Sequence, residues 1–169
     1  TFTVNNPKAG VNQSEKGILY VKANANKYKM TMKDREMISD GKVQWNYLKD
    51  DQEVQLSDID NSSDALNPAQ IFTMYEKGYT SAYAGESKVG AKLYQLIDLT
   101  PVNAGKSYKR VRLNIDKAAK QIAKVQVYDK NGATYTYQVN SFVPNVKMPE
   151  TIFSFDAKKY PGVEVVDLR

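Results

Sequence analysis

"ISDGKVQWNYLKDDQEV", residues 38–54, holds a turn, an apolar stripe, and a second turn that leads into another stripe. Val43, Trp45 and Tyr47 lie two apart, so in an extended strand they share one face, while Gln44 and Asn46 take the other. Asp40-Gly41 is a strong hairpin signal, because the central positions of a two-residue turn favour positive φ. It pairs Arg35–Ser39 with Lys42–Leu48, and "KDDQ" (49–52) returns the chain into Val54–Ile59, with Leu56 on that next strand. The stripe that holds the sole tryptophan is either the inner face of a packed core or the lining of a cavity.

The same pattern extends in both directions. Residues 1–6 form a strand, a loop follows around Pro7 and Gly10, and "GILYVK" (17–22) and "YKMTM" (28–32) are strands joined by "ANANK". Residues 60–66 are polar loop. "NPAQIFTMYEKG" (67–78) predicts a helix: Asn67 caps it, Pro68 takes its first position, Gly78 ends it, and Ile71, Met74 and Tyr75 fall at i, i+3 and i+4. Phe72 belongs to the same apolar arc. Strands resume over 79–84 and 91–99.

Val111, Leu113 and Ile115 alternate cleanly with Arg110, Arg112 and Asn114. "IDKAAKQIAKV" (115–125) is rich in helix formers, but the apolar residues on both its flanks alternate, so it reads as a hairpin closed by "DKAAK". "DKNG" (129–132) repeats the device between Val125/Val127 and Tyr135/Tyr137/Val139, and Phe153 and Phe155 lie two apart in a short strand. Many short strands joined by hairpins give a mainly β chain with a meandering antiparallel sheet. A single internal helix is too little to cover it, so either the sheet curls on itself or another helix lies upstream of Thr1.

Composition sets limits on function. The 169 residues suffice for one domain with a real core. The net charge of +5 favours anionic partners only weakly. With neither cysteine nor histidine, the chain has no disulfide, no thiol chemistry, no Cys or His metal site and no histidine-based triad. No apolar run approaches the ~20 residues that span a bilayer. The chain opens on strand-like "TFTV" without Met, so the sequence is expected to be trimmed ahead of Thr1, and the lack of a visible leader says nothing about secretion.

Motifs for catalysis are missing. "GESKVG" (85–90) matches neither a phosphate-binding loop nor a dinucleotide fingerprint, and no serine sits in a nucleophile elbow. Asp50/Asp51 and Asp58/Asp60 lie in turns, where Asp caps its own backbone. "DIDNSSD" (58–64) lacks the central glycine and closing glutamate of a calcium loop. "KSYKRVRLN" (106–114) is basic around Tyr108, yet its arginines alternate with core-like residues as on a solvated strand face, which speaks against nucleic acid. The reading is of a non-enzyme without metal or cofactor.

What remains are the stripes Val43/Trp45/Tyr47, Ile71/Met74/Tyr75, Tyr135/Tyr137/Val139 and Phe153/Phe155. Tyr and Trp carry polar atoms that seek partners, so they suit an apolar surface that is intermittently wet. A packed core and a ligand cavity both fit.

The ordered series "GILYVKANANKYKMTM", "MISDGKVQWNY", "DDQEVQL", "NPAQIF", "YQLIDLTP", "YKRVRLNID", "IAKVQVYDKNGATYTYQVNSF", "NVKMPETIFSFD" and "YPGVEVVD" resembles the periplasmic outer-membrane lipoprotein carrier family, LolA. The resemblance covers nearly the whole chain. It implies one domain over 1–169, an incomplete β-barrel of about eleven antiparallel strands with a helical lid, and a hydrophobic cavity for acyl chains. On that basis Val43, Trp45, Tyr47, Leu56, Ile71, Phe72, Met74, Tyr75, Tyr135, Tyr137 and Phe153 are the candidate lining. The implied partners are acylated lipoproteins, an inner-membrane ABC-type lipoprotein release complex and an outer-membrane acceptor, in the periplasm after export by a signal peptide. The alternative is a noncatalytic cell-envelope binding protein for another lipid or hydrophobic ligand on the same fold. The family pattern also carries an Arg-Pro pair after the second strand, whose arginine bonds to lid backbone and holds the apo form shut. Here the region reads Lys22-Ala23-Asn24-Ala25-Asn26, and a nearby family arginine is replaced by Lys29, which lacks the forked geometry. The resemblance therefore does not extend to lid control.

Overall fold

The structure, a computed structural model, describes residues 1–59, 68–71 and 73–169. Thirteen strands are formed among the described residues: β1 Phe2–Asn6, β2 Val11–Glu15, β3 Ile18–Lys22, β4 Lys27–Thr31, β5 Arg35–Ser39, β6 Val43–Leu48, β7 Glu53–Asp58, β8 Tyr79–Val89, β9 Lys92–Pro101, β10 Tyr108–Asp116, β11 Gln121–Asp129, β12 Thr134–Gln138 and β13 Glu164–Asp167. They make two open sheets, of order β2-β1-β12-β11-β10-β9-β8 and β13-β7-β6-β5-β4-β3. All pairings are antiparallel except β13 beside β7, which is parallel. The chain divides into two compact units, residues 1–15 with 72–142 and residues 16–71 with 143–169.

In the first unit, register sorts the side chains. Leu99 lies opposite Val111, Val111 opposite Val127, Val127 opposite Tyr135 and Tyr135 opposite Val4. A second row two residues away runs Ile97, Leu113, Val125, Tyr137, Phe2. Both rows face the same way because side chains repeat every second residue. Leu99, Val111 and Val125 are fully buried. Phe2 packs its ring 4.9 Å from that of Tyr137. The opposite face is polar: Arg112 donates two 2.7 Å hydrogen bonds to Asp98, and Arg110 lies 4.1 Å over the Tyr128 ring. Those bonds from Arg112 hold the Asp98 carboxyl below the usual range. Register shifts within β8–β9 and β10–β11 mark bulges, which bend and twist the strands that carry them.

The second unit is a six-stranded sheet with residues 143–160 packed against one face. The turn Glu150–Phe153 lies on β4 and β5 and buries Phe153 almost completely. Tyr28, Ile38 and Val54 are the unit's most buried apolar strand side chains. The Tyr28 hydroxyl donates to Gln44, and burial pushes its phenol pKa up.

Several expectations hold and several need correction. "DKAAK" is a turn between β10 and β11, so the rejected helix is absent. The Asp40-Gly41 hairpin forms, with Gly41 and Lys42 rather than Asp40 and Gly41 at its tip: the Asp40 N–H donates to the Val43 carbonyl at 3.4 Å, the Asp40 carboxylate accepts from the N–H groups of Lys42 and Val43 at 2.8 and 2.9 Å, and of these turn residues only Gly41 has positive φ. A β2 strand that the sequence reading did not separate pairs with β1, and β8 runs on to Val89.

Phe153 and Phe155 are not a strand; Phe153 ends a short 3₁₀ turn. The predicted α-helix is also absent among the described residues: 68–71 are turns and Met74–Glu76 a single 3₁₀ turn. Asn67 and Phe72 lie outside the described residues, as does the loop 60–66. So short an α-helix is marginal without packing. Ile71 and Met74 are each buried, whereas Tyr75, which an α-helix would have set on the same face, is half exposed.

Gly41 combines φ of 95° with a site where a Cβ would lie 2.4 Å from the Ala25 carbonyl oxygen. Gly41→Ala should therefore cost about 2 kcal/mol, read as a lower urea midpoint with unchanged slope.

Candidate functional site

The apolar face of the first unit opens into a cavity of about 450 Å³ near the β10–β11 turn. Ile97 comes from β9, Leu113 and Ile115 from β10 and Ile122 from β11. The alternation that makes these segments strands also aims their branched side chains one way. Leu113, at 2% exposure, is the floor. Tyr75 and Phe142, at 50% and 44%, form a half-exposed aromatic rim. Among the described residues Ser81, Gln121 and Lys120 complete the lining, and Lys120 is its single charged residue.

Chemically this is a concave apolar surface with few polar groups, the usual make-up of a small-molecule site. Among the described residues, no group of three or more His, Cys, Asp or Glu could hold a metal ion. No helix among them is long and apolar enough to cross a membrane, which says nothing about strands.

The second unit has a groove of about 430 Å³ between its sheet and residues 146–160. Tyr20, Lys29 and Ile38 form its sheet side. The segment is tied down at both ends. Glu150 accepts hydrogen bonds from Lys22 and, at 2.9 Å, from Lys27. The Tyr160 hydroxyl donates to Glu36 at 3.1 Å, and Glu36 pairs with Lys29 at 3.0 Å. The rings of Tyr47, Phe155 and Tyr160 cluster, with Tyr160 4.9 Å from Tyr47 and 4.8 Å from Phe155. Burial, then the Glu36 carboxylate, push the Tyr160 phenol up to about 12.

The candidate lining residues are distributed over both units. Trp45 lies opposite Ile38 and Leu56, Tyr47 opposite Val54 and Glu36, and Val43 opposite Asp58; all share one face of the second sheet. Val43, Trp45, Tyr47 and Leu56 are partly buried, and Ile71 and Phe153 almost wholly so. Tyr135 and Tyr137 stand on the apolar face of the first sheet, beside Phe2. Of the candidates, Tyr75 lines the first unit's cavity; Phe72 is outside the described residues. The sequence reading did not single out Ile97, Leu113, Ile115, Ile122 or Phe142 as a site. The Val111/Leu113/Ile115 alternation was the available signal, but it does not distinguish a lined hollow from a filled core. The "DIDNSSD" segment lies outside the described residues from Asp60 onward.

Bonds from Lys22 and Lys27 hold the Glu150 carboxyl below its ordinary value of 4.5. A depressed carboxyl contributes anchoring that is present above the ordinary value and lost as pH falls through the folded one. The NMR signals of Thr151 and Ile152 should thus shift on acidification below the ordinary 4.5, while Phe153, held by its own burial, stays in place. Glu150→Gln should show the shifted signals already at neutral pH.

Known proteins share this arrangement of strands. The family model described as outer membrane lipoprotein carrier protein LolA matches residues 2–156. An uncharacterized conserved protein from Thermus thermophilus superposes with a TM-score of 0.59 at 13% identity, over 98% of this chain and 87% of that one. MucB superposes with a TM-score of 0.51 at 15% identity, over 92% of this chain and 56% of the MucB chain. A LolA superfamily protein from Nitrosomonas europaea gives 0.45 at 11% identity, over 91% and 87%. At such identities the first two share the fold with this chain. No curated protein matches it.

Proposed function

We propose that this chain, which belongs to the outer membrane lipoprotein carrier protein LolA family, is a noncatalytic periplasmic carrier that takes the acyl part of lipoproteins into the cavity of its first unit. The observation that carries the reading is the cavity itself: about 450 Å³ of space on an apolar sheet face, floored by Leu113 and rimmed by Tyr75 and Phe142. A methylene moved from water onto such a surface gains roughly 0.8 kcal/mol, so affinity grows with chain length and needs no specific polar contact. A carrier benefits from that, because cargo must be released as well as held. The donor in this reading is an inner-membrane ABC-type lipoprotein release complex, and the receiver an outer-membrane acceptor.

A second reading has its own support. Residues 23–25 form a 3₁₀ turn in place of an Arg-Pro pair, and the described part of 67–78 forms turns rather than a helix that could serve as a lid. Both features fit an envelope binding protein that holds another lipid on the same fold.

Native mass spectrometry of the protein isolated gently from the cell envelope separates the two. A co-purifying acylated protein supports the carrier, and a free lipid supports the second reading. Ile97→Trp should narrow the cavity and weaken binding of a neutral fluorescent apolar dye, at a stability cost toward the low end of about 1–3 kcal/mol because the space is already open. A wild-type protein that carries nothing and binds no dye would overturn both.

A further inference from the structure

We infer that the cavity of the first unit selects an amphiphile with one acyl chain and an anionic head, the head being received by Lys120. The inference rests on the reading of that cavity as an acyl site and deepens the second reading, a lipid other than a lipoprotein, by adding the class of ligand.

Size sets the number of chains. A methylene displaces the ~30 Å³ share of one water, so a space of about 450 Å³ takes on the order of fifteen methylenes, one chain of ordinary length.

Charge sets the head. Lys120 is the one charged residue of the lining among the described residues and ends the turn at the mouth of the hollow. Its backbone is left-handed, φ 53°, a conformation that costs a side-chain-bearing residue and is usually left to glycine or asparagine. The turn holds it there: the Lys120 N–H donates to the Asp116 carbonyl at 2.8 Å, while the Asp116 carboxylate accepts from the N–H groups of Ala118 and Ala119 at 3.1 and 3.0 Å.

Two cations that neighbour it are already matched. Lys117 pairs with Glu86 at 2.8 Å and Lys92 with Asp116 at 3.4 Å. Among the described residues Lys120 has no carboxylate partner. An unmatched ammonium beside an apolar hollow favours a ligand that brings its own anion, since the pair reduces the cost of drawing the charge away from water. The rim of Tyr75 and Phe142 suits the junction of an apolar chain and a wet head.

The test is displacement of Nile red, a neutral dye, by hexadecanoate, hexadecyl phosphate and hexadecanol below their aggregation limits. It compares the wild type with Lys120→Gly and Lys120→Gln. Lys120→Gly removes the charge and relieves the backbone, so its melting temperature should not fall, and lost selectivity cannot then be misfolding. At least one anion should displace the dye at about fivefold lower concentration than the alcohol. In both variants that difference should vanish while the alcohol curve stays put. Preference for the carboxylate identifies a free fatty acid and preference for the phosphate a phospholipid fragment; either supports the inference. Equal displacement by all three compounds in the wild type, or a preference that survives in the variants, overturns it and leaves the acyl cavity intact. Failure of the dye and all three compounds to bind overturns the cavity reading beneath it.

Discussion

Two rows of apolar side chains crossing the seven-stranded sheet, Leu99–Val111–Val127–Tyr135 and Ile97–Leu113–Val125–Tyr137, are the constraint on which the first unit depends. A strand displaced by one residue would turn its whole apolar set to the other face, so burial of Leu99, Val111 and Val125 fixes the pairing of their strands. The polar face reinforces the same register, because Arg112 meets Asp98 only when β9 and β10 are aligned as observed. The cavity follows from this alignment. Where the rows approach the β10–β11 turn, the bulge between Asn114 and Ile115 shifts the pairing, and Ile115 and Ile122 line space instead of filling it.

The second unit meets the same demand differently. Its sheet has one face partly covered by residues 143–160, which contain little regular structure. A segment of that kind must be held by side chains, and it is: Phe153 is buried against β4 and β5, Phe155 and Tyr160 pack with Tyr47, and Glu150 and Tyr160 are anchored to the sheet by Lys22, Lys27 and Glu36. The anchors at Glu150 are exposed ion pairs, which contribute little individually. The buried aromatic contacts therefore carry most of the attachment.

Side-chain placement ties the fold to the proposed role. An acyl carrier needs an apolar surface that remains open in the folded state, and the cost of leaving it uncovered is limited when its rim is aromatic and partly wet. Tyr75 and Phe142 meet that condition. Lys120 adds a charge where an acyl chain would end, which is how a largely nonspecific surface acquires a preference.

The sequence by itself determined the strands and hairpins, because period-two alternation in Val43/Trp45/Tyr47 and Val111/Leu113/Ile115 and the turn residues of "SDGK", "DKAAK" and "DKNG" are local signals with local causes. It also determined the absence of cysteine and histidine chemistry. Tertiary structure decided the rest. The segment at 68–77 has helical spacing and a proline at its first position, yet its described residues form turns, since a short run of this kind takes the conformation its packing favours. Phe153 and Phe155 have strand spacing, but no neighbouring strand among the described residues pairs with them, and Phe153 is instead buried from a 3₁₀ turn. Above all, spacing says which residues share a face and is silent on whether that face is filled. Leu113 and Leu99 belong to the same apolar face, and only the arrangement of strands and turns in space makes one of them the floor of a cavity.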